Sequence, residues 1–314
     1  MQQVREFLSG LGLPRGDELK VPSSEKRFPD GAQYRVEIPS VEGPRVMAHV
    51  LDEAGIRGVP IHRISQGSGG MLLTDDEILD MGEQSSAKRV ELSLFARPTA
   101  GWGLGAGAQF PATSTASQVR GADQLVHNIE DIRRMCSLGI RNALVTDIGV
   151  VDVVSQLRHS GELPPDLRLK ASVQMGLSNP ASIRVGERLG IDSYNVTPDL
   201  TLSQLAAIRE AIDIPIDMYI ESPDNLGGFV RHYEIAEIVR VAAPVYVKFG
   251  LRNSPDIYPS GGHLESTAIA LGLERVRRAE IGLAILNRYM PSAQMSQLGA
   301  SDLAVAIPVN EVQP

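Results

Sequence analysis

The sequence predicts a (β/α)8 TIM barrel as its fold class, on three observations. Short runs rich in β-branched and aromatic residues alternate with longer segments of helical period along most of the chain. This strict alternation favours a parallel sheet, whose strands need helical crossovers. Eight such units within about 250 residues match a closed barrel better than an open doubly wound sheet. We therefore expect a single-domain barrel at residues 31–290, an N-terminal extension at 1–30 and a C-terminal tail at 291–314.

Each predicted strand is followed by a segment of helical period. The eight strands are predicted at residues 34–38, 59–65, 89–95, 142–147, 167–174, 192–197, 214–221 and 244–250. Glycine readily takes the left-handed conformation of a helix C-cap. Four helices are therefore predicted to end at Gly55, Gly139, Gly161 and Gly190. The connection at 97–117 contains Trp102 and is longer than an ordinary loop, so we expect it to cover the barrel mouth as a lid.

The composition excludes several function classes. A formal net charge of -8, without a basic run interleaved with aromatic residues, argues against nucleic acid or an anionic membrane as a partner. A single cysteine, Cys136, excludes a cysteine-ligated iron–sulfur cluster and fits a reducing compartment. Residues 1–16 lack the apolar core of a signal peptide, so a cytoplasmic location is expected. No fingerprint of an NAD site precedes a helix in the correct context.

Polar side chains alternate with apolar ones on almost every predicted strand. In a barrel, one face of each strand points inward, and buried charges are costly unless they are paired. Near the strand starts, the inward side chains are Arg35, Glu91, Lys170 and Asp217. Because the amino ends of barrel strands are associated with stability, we interpret these four as an internal ion-pair layer.

Side chains near the carboxyl ends of the strands should open into the mouth, where barrel enzymes build their active sites. The candidates for catalysis are Glu37, Asp147, Glu221 and Lys248. The candidates for substrate binding are His62, Arg63, Gln174, Asn195, Arg252 and Asn253. The alternative for these residues is a purely structural polar network. The glycine-rich segment 66–70 could also hold an anion with its backbone amides, or could simply be a turn.

Lys248 is the most informative candidate because barrel closure makes the eighth strand a neighbour of the first and the seventh. We expect its ammonium group within salt-bridge reach of Glu37 or Glu221. Flanking carboxylates favour the charged form of a lysine. A substrate-orienting cation or a general acid is therefore favoured over a Schiff-base lysine, which needs a depressed pKa.

A divalent metal site is an open alternative for the same mouth. Its ligands would come from separate strands, namely Glu37, His62, Asp147 and Glu221. Three other histidines lie on predicted helices and are interpreted as surface residues, namely His127, His159 and His232. The cofactor is otherwise unknown.

Residues 167–221 resemble the collagenase-like peptidase family, known as family U-32. The shared features are Ser172 and Gln174 at a strand end, Asn179 at a helix start, Leu189 with Gly190 before the next strand, and the helix at 200–208. The family's His-Gly-Cys signature is missing, because Glu221 and Ser222 occupy the expected place and no cysteine follows. The resemblance implies a diverged barrel of that family without the cysteine-held cluster of one of its branches.

Three functions remain open after these observations. The favoured one is an enzyme that acts on a small carboxylated or phosphorylated substrate by acid/base chemistry at the mouth, as a lyase, isomerase or hydrolase. A peptidase, implied by the resemblance, is the second. The third is a non-catalytic barrel subunit. A small molecule is the expected partner, and homo-oligomerisation is left open.

Overall fold

The structure, a computed structural model that describes residues 2–16, 21–98 and 118–308, is a closed barrel of eight parallel strands. Consecutive strands pair in order, and the eighth pairs with the first, so the predicted TIM barrel is confirmed. The strands are β1 Tyr34–Pro39, β2 Arg63–Ser65, β3 Glu91–Phe95, β4 Asn142–Val145, β5 Arg168–Ala171, β6 Ser193–Asn195, β7 Ile216–Glu221 and β8 Val245–Phe249.

Helices follow the strands and surround the barrel. Those of the described residues are α1 Gln2–Gly10, α2 Pro44–Arg57, α3 Asp75–Lys88, α4 Gly121–Ser137, α5 Ile148–Ser160, α6 Pro180–Leu189, α7 Leu202–Ala211, α8 Ile235–Ala242 and α9 Glu265–Tyr289. The local sequence determines where several of these helices begin. Thr74 and Thr201 each form a capping box with the side chain three residues later, which satisfies two backbone N–H groups at each helix start. No helix in these ranges is both long enough and apolar enough to cross a bilayer.

The two faces of each strand have different surroundings. On β8, Val247 and Phe249 point to the apolar layer between strands and helices, and Phe249 packs so closely on α9 that a side chain at Gly282 would meet its ring. Tyr246 and Lys248 point to the barrel interior. The interior is polar, as alternation predicts, and fully buried Lys170 lies in it.

The C-terminal segment packs at the amino end of the strands. Met295 forms a bridge with Tyr34, the first residue of β1, and the Ser296 N–H donates to the Tyr34 carbonyl. This segment therefore covers the end of the barrel opposite the mouth. The predicted lid at 97–117, with Trp102, lies outside the described residues except for its first two positions.

The predicted C-caps are correct at two helices. Gly161 and Gly190 take the left-handed conformation at the ends of α5 and α6, and Gly139, also at positive φ, follows the end of α4 by one further residue. The prediction is wrong at Gly55, which lies inside α2. The helix continues to Gly58, which takes a φ of 65° and whose N–H bonds back to the last turn.

We predict opposite effects of the same substitution at these two glycines. Gly55→Ala should raise the free energy of unfolding by about 0.5–1 kcal/mol, because the position is helical and nothing lies within 4 Å of an added methyl group. Gly58→Ala should lower it by about 1–2 kcal/mol, because an L side chain is strained at positive φ. Chemical denaturation measures both. A stabilising Gly58→Ala would contradict the assigned helix end.

Candidate active site

Glu37 on β1 is the centre of a set of ion pairs inside the barrel. Its carboxylate is fully buried, contacts the Lys170 ammonium, and lies 3.1 Å from Lys248 Nζ and 3.3 Å from Arg63 Nη1. The Ser65 hydroxyl donates to the same carboxylate at 2.6 Å. Burial opposes the charged form of Glu37, but the three cations outweigh burial and hold its pKa well below the ordinary value.

Arg63 on β2 extends these contacts across the barrel. Its Nε lies 2.6 Å from Glu91 and its Nη1 2.9 Å from Asp217, and the guanidinium lies 3.5 Å from the centre of the Tyr246 ring. The Asn142 amide and the Tyr246 hydroxyl also donate to Glu91. Its Nε and Nη1 thus both donate to carboxylates inside the barrel. The residue predicted to bind substrate is therefore part of the interior.

We call the six charged side chains of this region the ion layer. They are Glu37, Arg63, Glu91, Lys170, Asp217 and Lys248. Three carry positive and three carry negative charge, so the layer is neutral. Glu91, Lys170 and Asp217 were predicted to form internal ion pairs, and this is confirmed. Arg35 lies nearer the amino end, where it pairs with Asp302 of the C-terminal segment at 2.6 Å.

A cavity of about 190 Å³ lies above the ion layer at the carboxyl ends of the strands. Its lining includes Lys248 and Tyr219 from neighbouring strands, together with Arg97 and Tyr258 from the loops that follow β3 and β8. Lys248 Nζ lies 4.6 Å from the centre of the Tyr219 ring, which is the distance of a cation–π contact. Two cations and two phenols thus surround one space.

Lys170 and Lys248 share Glu37 but differ in their access to this cavity. Lys170 is fully buried, and Asp217 is its second partner at 3.3 Å. Burial lowers the pKa of Lys170 to about 8, against the opposing effect of Glu37, so the side chain is still charged at neutral pH. Lys248 lines the cavity and donates to Asn195 Oδ1 at 2.8 Å. Its second contact is the ion pair with Glu37 at 3.1 Å.

The structure brings three of the predicted site residues together in the cavity, namely Gln174, Asn195 and Lys248. Asn195 uses both ends of its amide within the protein, because Oδ1 accepts from Lys248 and Nδ2 donates to two backbone carbonyls. Gln174 follows β5 on a short 3-10 turn, Val173–Met175. Its Oε1 is buried, and no described residue donates to it.

The glycine-rich segment at 66–70 binds a carboxylate of the chain itself. The N–H groups of Gly67 and Ser68 each donate to Glu42 at 2.9 Å, and the Gly69 N–H donates to Gln66. These amides are therefore occupied, and the hypothesis that they hold a substrate anion is wrong for them. Gly67 also allows a close approach, since an added Cβ would lie 2.6 Å from the Tyr258 ring.

Glu221 does not reach the cavity, which corrects its predicted place beside Lys248. The pairing with β8 shifts register between Tyr219 and Glu221, so Glu221 leaves the inward alternation. Its carboxylate lies 3.0 Å from His232 Nε2 and accepts from the Arg252 N–H at 3.0 Å. Burial opposes its ionisation, but the hydrogen bonds from His232 and Arg252 outweigh burial and lower its pKa. Glu221 thus anchors the loop after β8.

Asp147 has a structural place at the start of α5. Its Oδ1 accepts from the N–H groups of Gly149 and Val150, and its Oδ2 accepts from the Val119 N–H. These are the contacts of a helix N-cap, and they use both carboxylate oxygens. Sequence reasoning placed Asp147 at the correct end of its strand, but an aspartate directly before a helix is also the standard cap residue.

His62 lies outside the mouth because β2 begins one residue later, so that Arg63 and not His62 faces inward. Its Nδ1 accepts from the Val36 N–H at 3.1 Å, and its Nε2 lies 2.9 Å from the Ser296 carbonyl oxygen. This pattern requires the neutral ring with its proton on Nε2. Burial lowers the pKa of His62 to about 4, which the nearby Arg35 reinforces.

The proposed metal ligands are therefore separated by the fold. Glu37 lies in the ion layer, His62 is at the amino end, Asp147 caps a helix and Glu221 faces His232. In residues 2–16, 21–98 and 118–308, no three His, Cys, Asp or Glu side chains are grouped as a metal ion would require. His127 and His159 are exposed, as predicted, whereas His232 is buried.

Arg252 and Asn253 hold two loops together and do not line the cavity. Arg252 is exposed with its Nε 3.7 Å from Asp224 of the loop after β7, and the Asn253 N–H donates to the same carboxylate at 2.5 Å. The Ser260 N–H donates to the Ser68 hydroxyl at 2.8 Å, which ties the loop after β8 to the loop after β2. These contacts position the cavity wall that carries Tyr258.

Comparison with known proteins supports the family resemblance. The sequence profile of Peptidase family U32 matches residues 114–222, which include the segment 167–221 that suggested the family, so the predicted resemblance is confirmed. No curated protein matches the chain significantly in sequence.

Several solved structures are similar to the chain. The U32 peptidase Mk0906 is 16% identical, with a TM-score of 0.43, over 80% of this chain and 89% of that chain. A truncated form of 3-deoxy-D-arabino-heptulosonate 7-phosphate synthase from Thermotoga maritima is 11% identical, with a TM-score of 0.46, over 88% of this chain and 95% of that chain. Rubisco from Pyrococcus horikoshii OT3 is 9% identical, with a TM-score of 0.45, over 93% of this chain and 68% of that chain.

We predict that His62 makes the protein sensitive to acid. The unfolded chain gains a proton on this ring as pH falls through about 6.5, whereas the folded chain resists protonation until about pH 4. Stability is therefore lost as pH falls between these values, by up to about 3 kcal/mol. His62→Gln removes this titration, so its free energy of unfolding should fall less steeply with acid than that of the wild type.

Denaturant titrations at steps between pH 7 and pH 4 measure the two slopes. His49→Gln, at an exposed position of α2, is the matched control and should keep the wild-type slope. If the free energy of unfolding fell equally steeply with pH in the wild type and in His62→Gln, the assignment of a neutral His62 ring with two hydrogen bonds would be wrong.

Proposed function

We propose that the protein is a barrel enzyme that binds the anionic oxygen of a small substrate at Lys248. The observation that carries the proposal is the position of this ammonium group, which lines the mouth cavity while it donates to Asn195 at 2.8 Å and pairs with Glu37 at 3.1 Å. These two contacts orient the side chain at the cavity, and the ammonium group has further N–H groups that can donate to a ligand. Preorganised donors of this kind stabilise negative charge most effectively because they need no reorganisation during the reaction.

The charges of the cavity lining favour an anion. Lys248 and Arg97 are cations, and Asp256 is the carboxylate among the described lining residues. Glu37 is enclosed by its cations beneath the cavity and is already neutralised by the ion layer. A carboxylate or phosphate that enters would therefore meet a lining with an excess of positive charge.

The same groups suit acid/base chemistry in the lyase, isomerase or hydrolase classes. The Lys248 ammonium can hydrogen-bond to an oxygen that gains negative charge, and can donate its proton as that charge develops. Asp256 at the rim is the candidate that would accept a proton, because it is an exposed carboxylate of the described lining; its Oδ1 accepts from the Tyr258 N–H at 3.0 Å. Tyr219 remains a neutral phenol, since burial and the nearby Glu37 raise its pKa.

A peptidase is the second candidate, favoured by the profile match to Peptidase family U32. The described cavity lining contains the hydroxyl groups of Ser40, Ser65 and Ser172 but no histidine that could activate one of them. Ser65 donates to Glu37, and Ser40 is bonded to the Tyr258 hydroxyl. A peptidase mechanism would therefore need an activated water, and hydrolysis of a peptide panel by the wild type would support it.

We predict that the two lysines of the ion layer separate stability from binding. Lys248→Met should weaken the binding of a small acid such as butanoate at least tenfold, because it removes the cation in the cavity. Lys170→Met should lower the free energy of unfolding by about 3–5 kcal/mol, because it leaves Glu37 and Asp217 with fewer partners in full burial. Lys248→Met should destabilise less, since Lys170 and Arg63 still neutralise Glu37.

Titration calorimetry measures butanoate binding, and chemical denaturation measures stability. Lys88→Met, at an exposed position in the last turn of α3, is the control for loss of a lysine and should bind like the wild type. Butanoate affinity that is equal in the wild type and in folded Lys248→Met would overturn the proposal.

A further inference from the structure

Four side-chain amides belong to the described cavity lining, and they differ in how their polar atoms are satisfied. Asn195 is fully bonded within the barrel. Gln66 is also satisfied, because its Nε2 donates to the Gly69 carbonyl and its Oε1 accepts from the Gly69 N–H. Asn225 is exposed, so water can satisfy it. Gln174 alone among the described lining residues combines a buried amide oxygen with the lack of any donor.

An unpaired buried acceptor is unfavourable, and native structures rarely retain one without a reason. The backbone around Gln174 offers no remedy, because its own N–H is bonded to the Ser172 hydroxyl and the turn ends at Gly176 in the left-handed conformation. Gln174 belongs to the lining of the same cavity as Lys248. A ligand in the cavity can therefore supply the donor that the protein does not, once rotation of the side-chain amide turns its oxygen toward the cavity.

We infer that the substrate carries, besides its anionic oxygen, an O–H or N–H group that donates to Gln174 Oε1. The inference rests on the proposed function, since Lys248 holds the anionic end. The ligand class is then a compact hydroxy acid or amino acid, in which one end meets the ammonium of β8 and the other meets the amide after β5. Lys248 selects for charge, and Gln174 selects for a donor.

A cation and a hydrogen-bond acceptor in one cavity discriminate between ligands more sharply than the size of the cavity does. A site built to accept a hydrogen bond disfavours an analogue that lacks the donor, because the buried acceptor then stays unpaired. An apolar wall would gain little from a hydroxyl group. The hydroxylated and unsubstituted forms of one acid should therefore differ in affinity, and the difference should depend on Gln174.

The test compares butanoate with its 2-, 3- and 4-hydroxy and its 2-, 3- and 4-amino derivatives by titration calorimetry. The wild type should bind at least one derivative about fivefold or more tightly than butanoate, the scale of one hydrogen bond. Gln174→Leu should bind that derivative and butanoate equally. Gln156→Leu makes the same change on the exposed face of α5 and should keep the wild-type preference.

A second variant retains the acceptor and adds charge. Compared with the wild type, Gln174→Glu should shift the preference from hydroxy derivatives toward amino derivatives. This variant tests the role of Gln174 if Gln174→Leu does not fold. The substituted carbon of the tightest-binding derivative gives the distance between the carboxylate and the donor group of the ligand. A preference for the hydroxy or the amino derivatives shows which group is the donor.

The outcomes separate this inference from the proposed function. If butanoate binds and Lys248→Met abolishes its binding, but no derivative is preferred, the inference fails and the proposed function stands. A preference that persists unchanged in Gln174→Leu also overturns the inference. If neither butanoate nor any derivative binds to the wild type, both fail.

Discussion

The structure depends on the neutralisation of Glu37 inside the barrel. This carboxylate on β1 is held by cations from β2, β5 and β8, and the remaining strands join through the partners of those cations. Asn142 of β4 donates to Glu91 of β3, and Asn195 of β6 accepts from Lys248. The contacts therefore connect strands that are distant in sequence. Three positive and three negative charges balance one another in this buried layer, and the cost of removing one is greatest where its partners are most enclosed, as they are around Lys170.

This constraint explains why the proposed function centres on one lysine. Lys170 lies below the cavity and is enclosed by Glu37 and Asp217, so its charge is used to hold the barrel together. Lys248 belongs to the same layer but reaches its upper surface. The layer orients Lys248 from below and leaves it accessible from above. In the proposed function a structural network and a binding site share one residue, which is why the two interpretations of the interior polar side chains were hard to separate from sequence.

Much of the fold and a smaller part of the site could be predicted from the sequence. Alternation and barrel closure were enough to place Lys248 beside Glu37, because both depend only on strand order and a period of two residues. Glu221 was misplaced since a register shift on β7 breaks that period, and such a shift leaves no mark in a run as regular as "DMYIE". His62 was misplaced because the strand begins at Arg63, and a change of one residue reverses the face. The roles of Glu42 depend on loops folding back on the strands, which local sequence does not encode.

The glycine-rich loop at 66–70 uses its backbone amides within the chain. Backbone amides in such a loop are attractive anion ligands, yet the chain places the buried carboxylate of Glu42 against those of Gly67 and Ser68. Burial raises the pKa of Glu42, and the hydrogen bonds from the loop oppose this effect. The loop is thereby fixed as a wall, and its glycine at 67 lets Tyr258 pack against it. In the proposed function, a substrate anion therefore finds its donors elsewhere in the described cavity, and Lys248 is the cation that the ion layer holds in place for it.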